Sequence, residues 1–389
     1  MKLSSRVCRG VALSAALCGA WLLAGCARTP QPVHFFAAGR PEHLSEWQVL
    51  IREAGRRDGR LVPNAQVVPY DLNTPLFSDY AHKFRTVWMP PGTAAKYSDA
   101  QSFEFPVGTI ITKTFFYPRA GGDSTAAVMR TYDQSRDFAG PGLDLAHVRL
   151  IETRLLVRRD AGWVALPYVW NAEQTDAVLA RTGDEMALEL LDADGKSEAF
   201  TYVVPNENQC AGCHVTDLKT KAIAPIGPKA RHLNRNYPYP GGEQNQLSYL
   251  QKVGYLTGVP PLAEVPRNAG WRDASQPLDA RARAYLDVNC GHCHNPKGPA
   301  DTTSLFFDVG TPADRHLGLC KPPVAAGRGT GDHMYDIVPG HPDDSILPFR
   351  MASREPGVMM PEQGRGTVHR EGLALIRDWI AALPGECGA

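Results

Sequence analysis

Val148-Arg-Leu-Ile-Glu-Thr-Arg-Leu-Leu-Val157, then Asp160-Ala-Gly162, then Trp163-Val-Ala-Leu-Pro-Tyr-Val-Trp170 is the run on which the first half of this chain turns. β-Branched and aromatic residues flank a short glycine-containing turn, so Val157 to Val164 reads as a hairpin. Upstream, Phe103-Glu-Phe105-Pro-Val107-Gly-Thr-Ile110-Ile-Thr-Lys-Thr-Phe115-Phe-Tyr117 has the same character and breaks at Gly108, and downstream Ala199-Phe-Thr-Tyr-Val-Val204 is strand-like. Residues 61–205 are therefore expected to form an antiparallel β domain. Residues 26–60 read as a tether and then a helix, because Leu44, Trp47, Leu50 and Ile51 fall at helical spacing.

Just beyond the last of these strands stands Cys210-Ala-Gly-Cys213-His214, and 80 residues later Cys290-Gly-His-Cys293-His294. Both have the C-x-x-C-H spacing of covalent haem attachment. Two thiols three residues apart reach the two vinyl groups of one haem, and the adjoining histidine comes up beneath the iron. At this chain's own Cys and His frequencies, chance supplies roughly 0.006 such motifs, so two copies are a signature. A zinc knuckle would need the pairs to act as one four-ligand set. A thioredoxin-like pair explains neither the histidine nor the repetition. Two covalently bound haems c are the cofactor expected, held by Cys210, Cys213, Cys290 and Cys293, with His214 and His294 as proximal iron ligands.

The other cysteines fit an exported protein. Lys2, Arg6 and Arg9 precede an apolar stretch from Val11 to Leu23, which has signal-peptide length and is too short for a comfortable membrane span. It closes in Leu23-Ala24-Gly25-Cys26, which resembles the lipobox of bacterial lipoproteins; that implies loss of residues 1–25 and lipidation of Cys26. Cys8 and Cys18 would leave with the leader, and Cys320 and Cys387 remain as an even pair in an oxidising compartment, hence a disulfide candidate. Lys+Arg and Asp+Glu are 41 each over 389 residues, so the charge balance asks for no nucleic acid. Without the leader, 38 basic face 41 acidic groups, a mild bias that allows weak docking to a basic partner and proves nothing more.

Residues 206–275 form the segment of the first haem, and 276–389 read as a small class I cytochrome c domain. Asp279 to Val288 is a helix leading into Cys290. Val368 to Leu383 is another, with Leu373, Ile376, Trp379, Ile380 and Leu383 on one face and a stop at Pro384-Gly385. Met360 is the distal ligand expected for the second haem, since Pro361 restricts its backbone and a thioether suits ferrous iron. Met359, Met351 and Met334 are alternatives. No methionine lies between residues 214 and 290. The distal side of the first haem is therefore open, taken by His232, or filled from the β domain. His292, inside the attachment loop, is expected to face solvent.

Tyr285-Leu-Asp-Val-Asn-Cys-Gly-His-Cys-His-Asn-Pro, Pro339-Gly-His-Pro-Asp-Asp-Ser-Ile-Leu347 and Met360-Pro361, with Tyr70-Asp-Leu-Asn-Thr-Pro-Leu-Phe-Ser-Asp-Tyr80 and Pro205-Asn-Glu-Asn-Gln-Cys210 before them, resemble a bacterial family of dihaem c-type cytochrome lipoproteins. The segments together read as an α+β, multidomain fold: an N-terminal antiparallel β domain followed by a mainly α-helical cytochrome c domain. The function expected is one-electron transfer on the periplasmic side of a membrane, with a lean to the outer one, between redox partner proteins. The rival is a dihaem enzyme reducing peroxide or nitrogen oxides at an open first haem.

Overall fold

The expected hairpin is present. Strand Val148–Arg159 turns at Asp160-Ala161 into Gly162–Trp170, and Val157 stands opposite Val164. Gly162 has φ +129°, a conformation that side chains other than glycine's rarely adopt. The hairpin lies within a six-stranded antiparallel sheet in the order Ala177–Leu179, Gly162–Trp170, Val148–Arg159, Ile110–Pro118, His82–Trp88, Val68–Tyr70. A register irregularity between Leu150 and Glu152 re-aims the start of the longest strand.

Strand alternation splits this sheet into two faces. One carries Phe84, Ile110, Leu155, Val157, Leu166 and Tyr168, packed against Leu44 and Trp47. Between its strands Thr114 and Thr153 are joined Oγ1 to Oγ1 at 2.8 Å, and Thr86 and Thr112 at 2.7 Å, so the buried hydroxyls are satisfied. The other face carries Val87, Ile111 and Phe115, and with them Arg85, Lys113 and Arg154. A three-stranded sheet, Ser197–Val204, Asp184–Leu191 and the parallel Ala127–Met129, adjoins it through a core of Tyr117, Leu188, Leu190 and Tyr202.

The computed structural model describes residues 31–53, 59–121, 125–324 and 326–388. The expected leader, and Cys26 with its lipidation, lie outside these residues. From Pro32 onward the chain is one compact unit. No helix among the described residues is long and apolar enough to cross a membrane.

Six α-helices among the described residues complete the picture: α1 Glu207–His214, α2 Ala230–Leu233, α3 Gln246–Lys252, α4 Leu278–Asn289, α5 Ile346–Ala352 and α6 Arg370–Ala382. Two expectations are corrected. The molecule is a multi-sheet, β-rich protein that is only 19% helical, so the mainly α-helical C-terminal cytochrome domain is not shown. Between Cys290 and Arg370 the chain makes α5 and otherwise single 3₁₀ turns at Asp301–Thr303, Arg315–Leu317, Gly327–Thr330 and Pro342–Asp344. Pro296, Gly298, Pro299, Gly310, Pro312, Gly318, Pro322 and Pro323 interrupt helix there by removing donors or favouring turns. The helix expected around Leu44–Ile51 is a 3₁₀ turn, Leu44–Trp47, then a strand, Leu50–Arg52. Gln48, at φ +52°, ends the turn, and Ile51 pairs opposite Val62.

α4 and α6 form as their periodicity requires. Leu375, Ile376, Trp379 and Ile380 are buried against Ala282, Tyr285 and Leu286, and Trp379 Nε1 donates to Asp279 Oδ1 at 2.8 Å.

Candidate functional site

α1 begins where strand Ser197–Val204 ends. Pro205 stops the strand, and the Asn206 side chain accepts from Gln209 N at 2.8 Å while Gln209 Oε1 accepts from Asn206 N at 2.9 Å. This reciprocal cap starts the helix on which Cys210, Cys213 and His214 ride. The second motif leaves the C-terminal end of α4, where Cys290 N donates to Leu286 O at 2.8 Å.

The two motifs meet. Cys293 Sγ lies 3.8 Å from the carbonyl oxygen of Gly212, and both segments line one cavity of about 580 Å³. Its wall includes Cys210, Cys213, His214, Cys290, Cys293 and His294. These four cysteines are unbridged. Burial pushes the Cys290 and Cys293 thiols up to about 12 and raises those of Cys210 and Cys213, the opposite of an activated redox cysteine.

The two histidines are held alike. His214 Nδ1 pairs with the Ala224 carbonyl at 2.8 Å and His294 Nδ1 with the Leu305 carbonyl at 3.2 Å, ten and eleven residues downstream. A carbonyl only accepts, so Nδ1 carries the proton and Nε2 keeps its lone pair. Burial lowers His214 to about 3 and His294 to about 4, so both rings are neutral at pH 7. A neutral imidazole anchored through its other nitrogen is what a metal-ligating histidine needs.

Met360 also lines the cavity. Its loop is staked down: Met360 N donates to Arg350 O at 3.0 Å, and Arg365 Nη2 donates to Met360 O at 3.0 Å and Ser353 O at 2.8 Å. Buried Asp79 takes Gly366 N, Thr367 N and Thr367 Oγ1 at 2.8, 2.8 and 2.9 Å, tying the same loop to the β core. Met351 lines the cavity too, whereas Met334 is 72% exposed.

His232 is not brought to the cavity wall. It sits on α2, fully buried, its Nε2 3.5 Å from Asp287 Oδ2, with neither nitrogen hydrogen-bonded. Burial lowers it to about 3. Its neighbours explain the placement. Arg231 grips Asp287 with Nε at 2.8 Å and Nη2 at 2.7 Å, and Asn268 adds a bond at 2.8 Å, clamping α2 to α4 three residues before Cys290. His292, expected in solvent, is 5% exposed and lines the cavity, because the second motif is packed against the first. Cys320 and Cys387 are joined by a disulfide with Cα atoms 5.2 Å apart.

Sequence reading passed over His369, another cavity residue. Its Nδ1 meets Tyr285 Oη at 2.8 Å and its Nε2 meets Tyr132 Oη at 2.7 Å; Tyr132 also donates to Glu371 Oε2 at 3.0 Å. One arrangement satisfies every proton: Tyr285 donates to Nδ1, Nε2–H donates to Tyr132, and Tyr132 donates to Glu371. Phe77 stacks on the ring at 4.1 Å. Both ring nitrogens are committed, so His369 shapes the wall and holds no lone pair for a metal.

Comparison with protein-family models, curated proteins and solved structures finds no match. The resemblance to the dihaem cytochrome lipoprotein family with a class I domain is corrected on that finding and two others. The chain is mostly β with about 19% helix, and among the described residues no three or more His, Cys, Asp or Glu side chains gather as a metal ion requires.

Proposed function

We propose that the chain is a dihaem c-type cytochrome that passes single electrons between redox proteins on the periplasmic side of a membrane, held there through Cys26. Cys210 and Cys213 would bond one haem and Cys290 and Cys293 the other, with His214 and His294 beneath the irons. The observation that carries this reading is the pair of neutral histidines, each anchored through Nδ1 to a downstream carbonyl, each directly after a C-x-x-C pair, both on the wall of one cavity. These residues fit the group. Haem attachment uses two thiols bonded to the porphyrin and one histidine per iron, so it needs no cluster of three protein ligands.

A bound haem c supplies one-electron redox chemistry. What the chain does around it follows from its own side chains. The staked loop places Met360 on the wall, Phe77 and Tyr285 flank His369 there, and the abutting motifs hold the two attachment points close. The second reading, an enzyme reducing peroxide or nitrogen oxides at the first site, rests on His232 lying away from the cavity. Carbon monoxide added to the reduced protein separates the two: binding at one iron favours the enzyme, and no binding favours plain electron transfer.

A further inference from the structure

Arg85, Lys113 and Arg154 stand directly opposite one another on three adjacent strands of the central sheet, Arg85 facing Lys113 and Lys113 facing Arg154. All three line the cavity. Like charges on directly opposed strand positions repel. The outer two are compensated: Arg85 Nη1 donates to Asp71 Oδ1 at 2.7 Å, and Arg154 holds both oxygens of buried Glu152 at 2.7 and 2.5 Å. Lys113 has no hydrogen bond or ion pair with a described residue, and its ammonium lies 5.0 Å from the centre of the Phe115 ring. Lys83, whose amine burial pushes well below the ordinary lysine range, donates to the Ala81 carbonyl at 2.7 Å. Burial, with Arg154 and Arg85, pushes the Lys113 amine down to about 7. Among the described residues no carboxylate pairs with Lys113, whose amine would take up its proton more readily beside an anion. The rung shares its cavity wall with Cys210, Cys213 and His214 of the first motif.

We infer that the Arg85–Lys113–Arg154 rung seats an anion inside the cavity, a carboxylate or small oxyanion held beside the first attachment motif. Under the dihaem reading, on which this rests, the carboxylate would be a propionate of the haem on Cys210 and Cys213. A free oxyanion from solution offers the same chemistry from another source.

The test uses the full chain matured with its haems, whose number is first fixed by intact mass, with Lys113→Met to remove the charge and Lys113→Arg to retain it. In a redox titration, Lys113→Met should lower one midpoint potential and leave the other, because a propionate without its cation favours ferric iron; Lys113→Arg should restore the wild-type value. Inorganic phosphate should leave the ferric spectrum unchanged. If phosphate shifts the wild-type spectrum saturably and Lys113→Met loses the shift, the site stands with solution as its source. Unchanged potentials in Lys113→Met together with no response to phosphate overturn the inference. A mass showing fewer than two haems fails the dihaem reading instead. The rung is then judged on melting temperature: a rise with phosphate in the wild type alone supports an anion seat, and no rise refutes it.

Discussion

Replacing Asp287 tests whether the α2–α4 clamp holds the second motif in place. The carboxylate is buried and accepts two bonds from Arg231 and one from Asn268. Burial alone would raise it, yet the Arg231 bonds outweigh that and bring it from 3.8 down to about 2. A depressed carboxyl stabilises the fold above its unfolded value, and the contribution is lost as pH falls through the folded one. At about 1.4 kcal/mol per pH unit the shift is worth about 2.5 kcal/mol at neutral pH, and about half of that at pH 3. Asp287→Asn keeps the shape and loses this term. Asp287→Ala also strands the Arg231 guanidinium and should cost about 3–5 kcal/mol. A unit of roughly 350 residues has an unfolding entropy on the order of 0.7 kcal/mol per kelvin, so the alanine variant should melt about 4–7 °C lower. Urea unfolding of wild type, Asp287→Asn and Asp287→Ala at pH 7 and pH 3 measures both effects. An alanine cost below about 1 kcal/mol, or an asparagine deficit that does not shrink at pH 3, would refute the clamp.

Met360→Ala in the haem-loaded protein should abolish the methionine-to-iron charge-transfer band and lower one potential, since loss of a soft ligand destabilises ferrous iron; an unchanged spectrum would move the assignment to Met351 or Met359. Thiol counting on the unfolded, unreduced chain should find Cys320 and Cys387 unreactive. Their bond spans 67 residues and should contribute about 4 kcal/mol by loop entropy, so Cys320→Ser with Cys387→Ser should lower the urea midpoint, and an unchanged midpoint would count against it. Asp79→Ala removes the anchor of Gly366 and Thr367 and should cost about 2–4 kcal/mol, read as a lower urea midpoint; a midpoint within error of wild type would show that the loop is held elsewhere.

What could be read without coordinates was periodic or motif-like. Val157 opposite Val164, the buried face of α6 and the two C-x-x-C-H sequences are all visible as spacing. The segment after Trp47 misleads because Leu44, Trp47, Leu50 and Ile51 satisfy helical spacing and a 3₁₀ turn followed by a strand equally well. The C-terminal region misleads in another way. A C-x-x-C-H sequence between two helix-like segments invites a helical domain, while the region's prolines and glycines hold the intervening chain in turns. His232 stands out as the lone histidine in its interval, but its place is set by Arg231 and Asp287, a partnership across 56 residues that no local pattern shows. The cationic rung needs strand register: Arg85, Lys113 and Arg154 are unremarkable lysine and arginine positions until three strands are paired.

The most direct measurement is the intact mass and reduced pyridine spectrum of the chain secreted from a bacterium with haem-attachment machinery, repeated with Cys210→Ser/Cys213→Ser and with Cys290→Ser/Cys293→Ser. Two covalent haems in the wild type and one in each double variant are expected. A wild-type chain without covalent haem, or one whose haem survives loss of either cysteine pair, would contradict the proposed function.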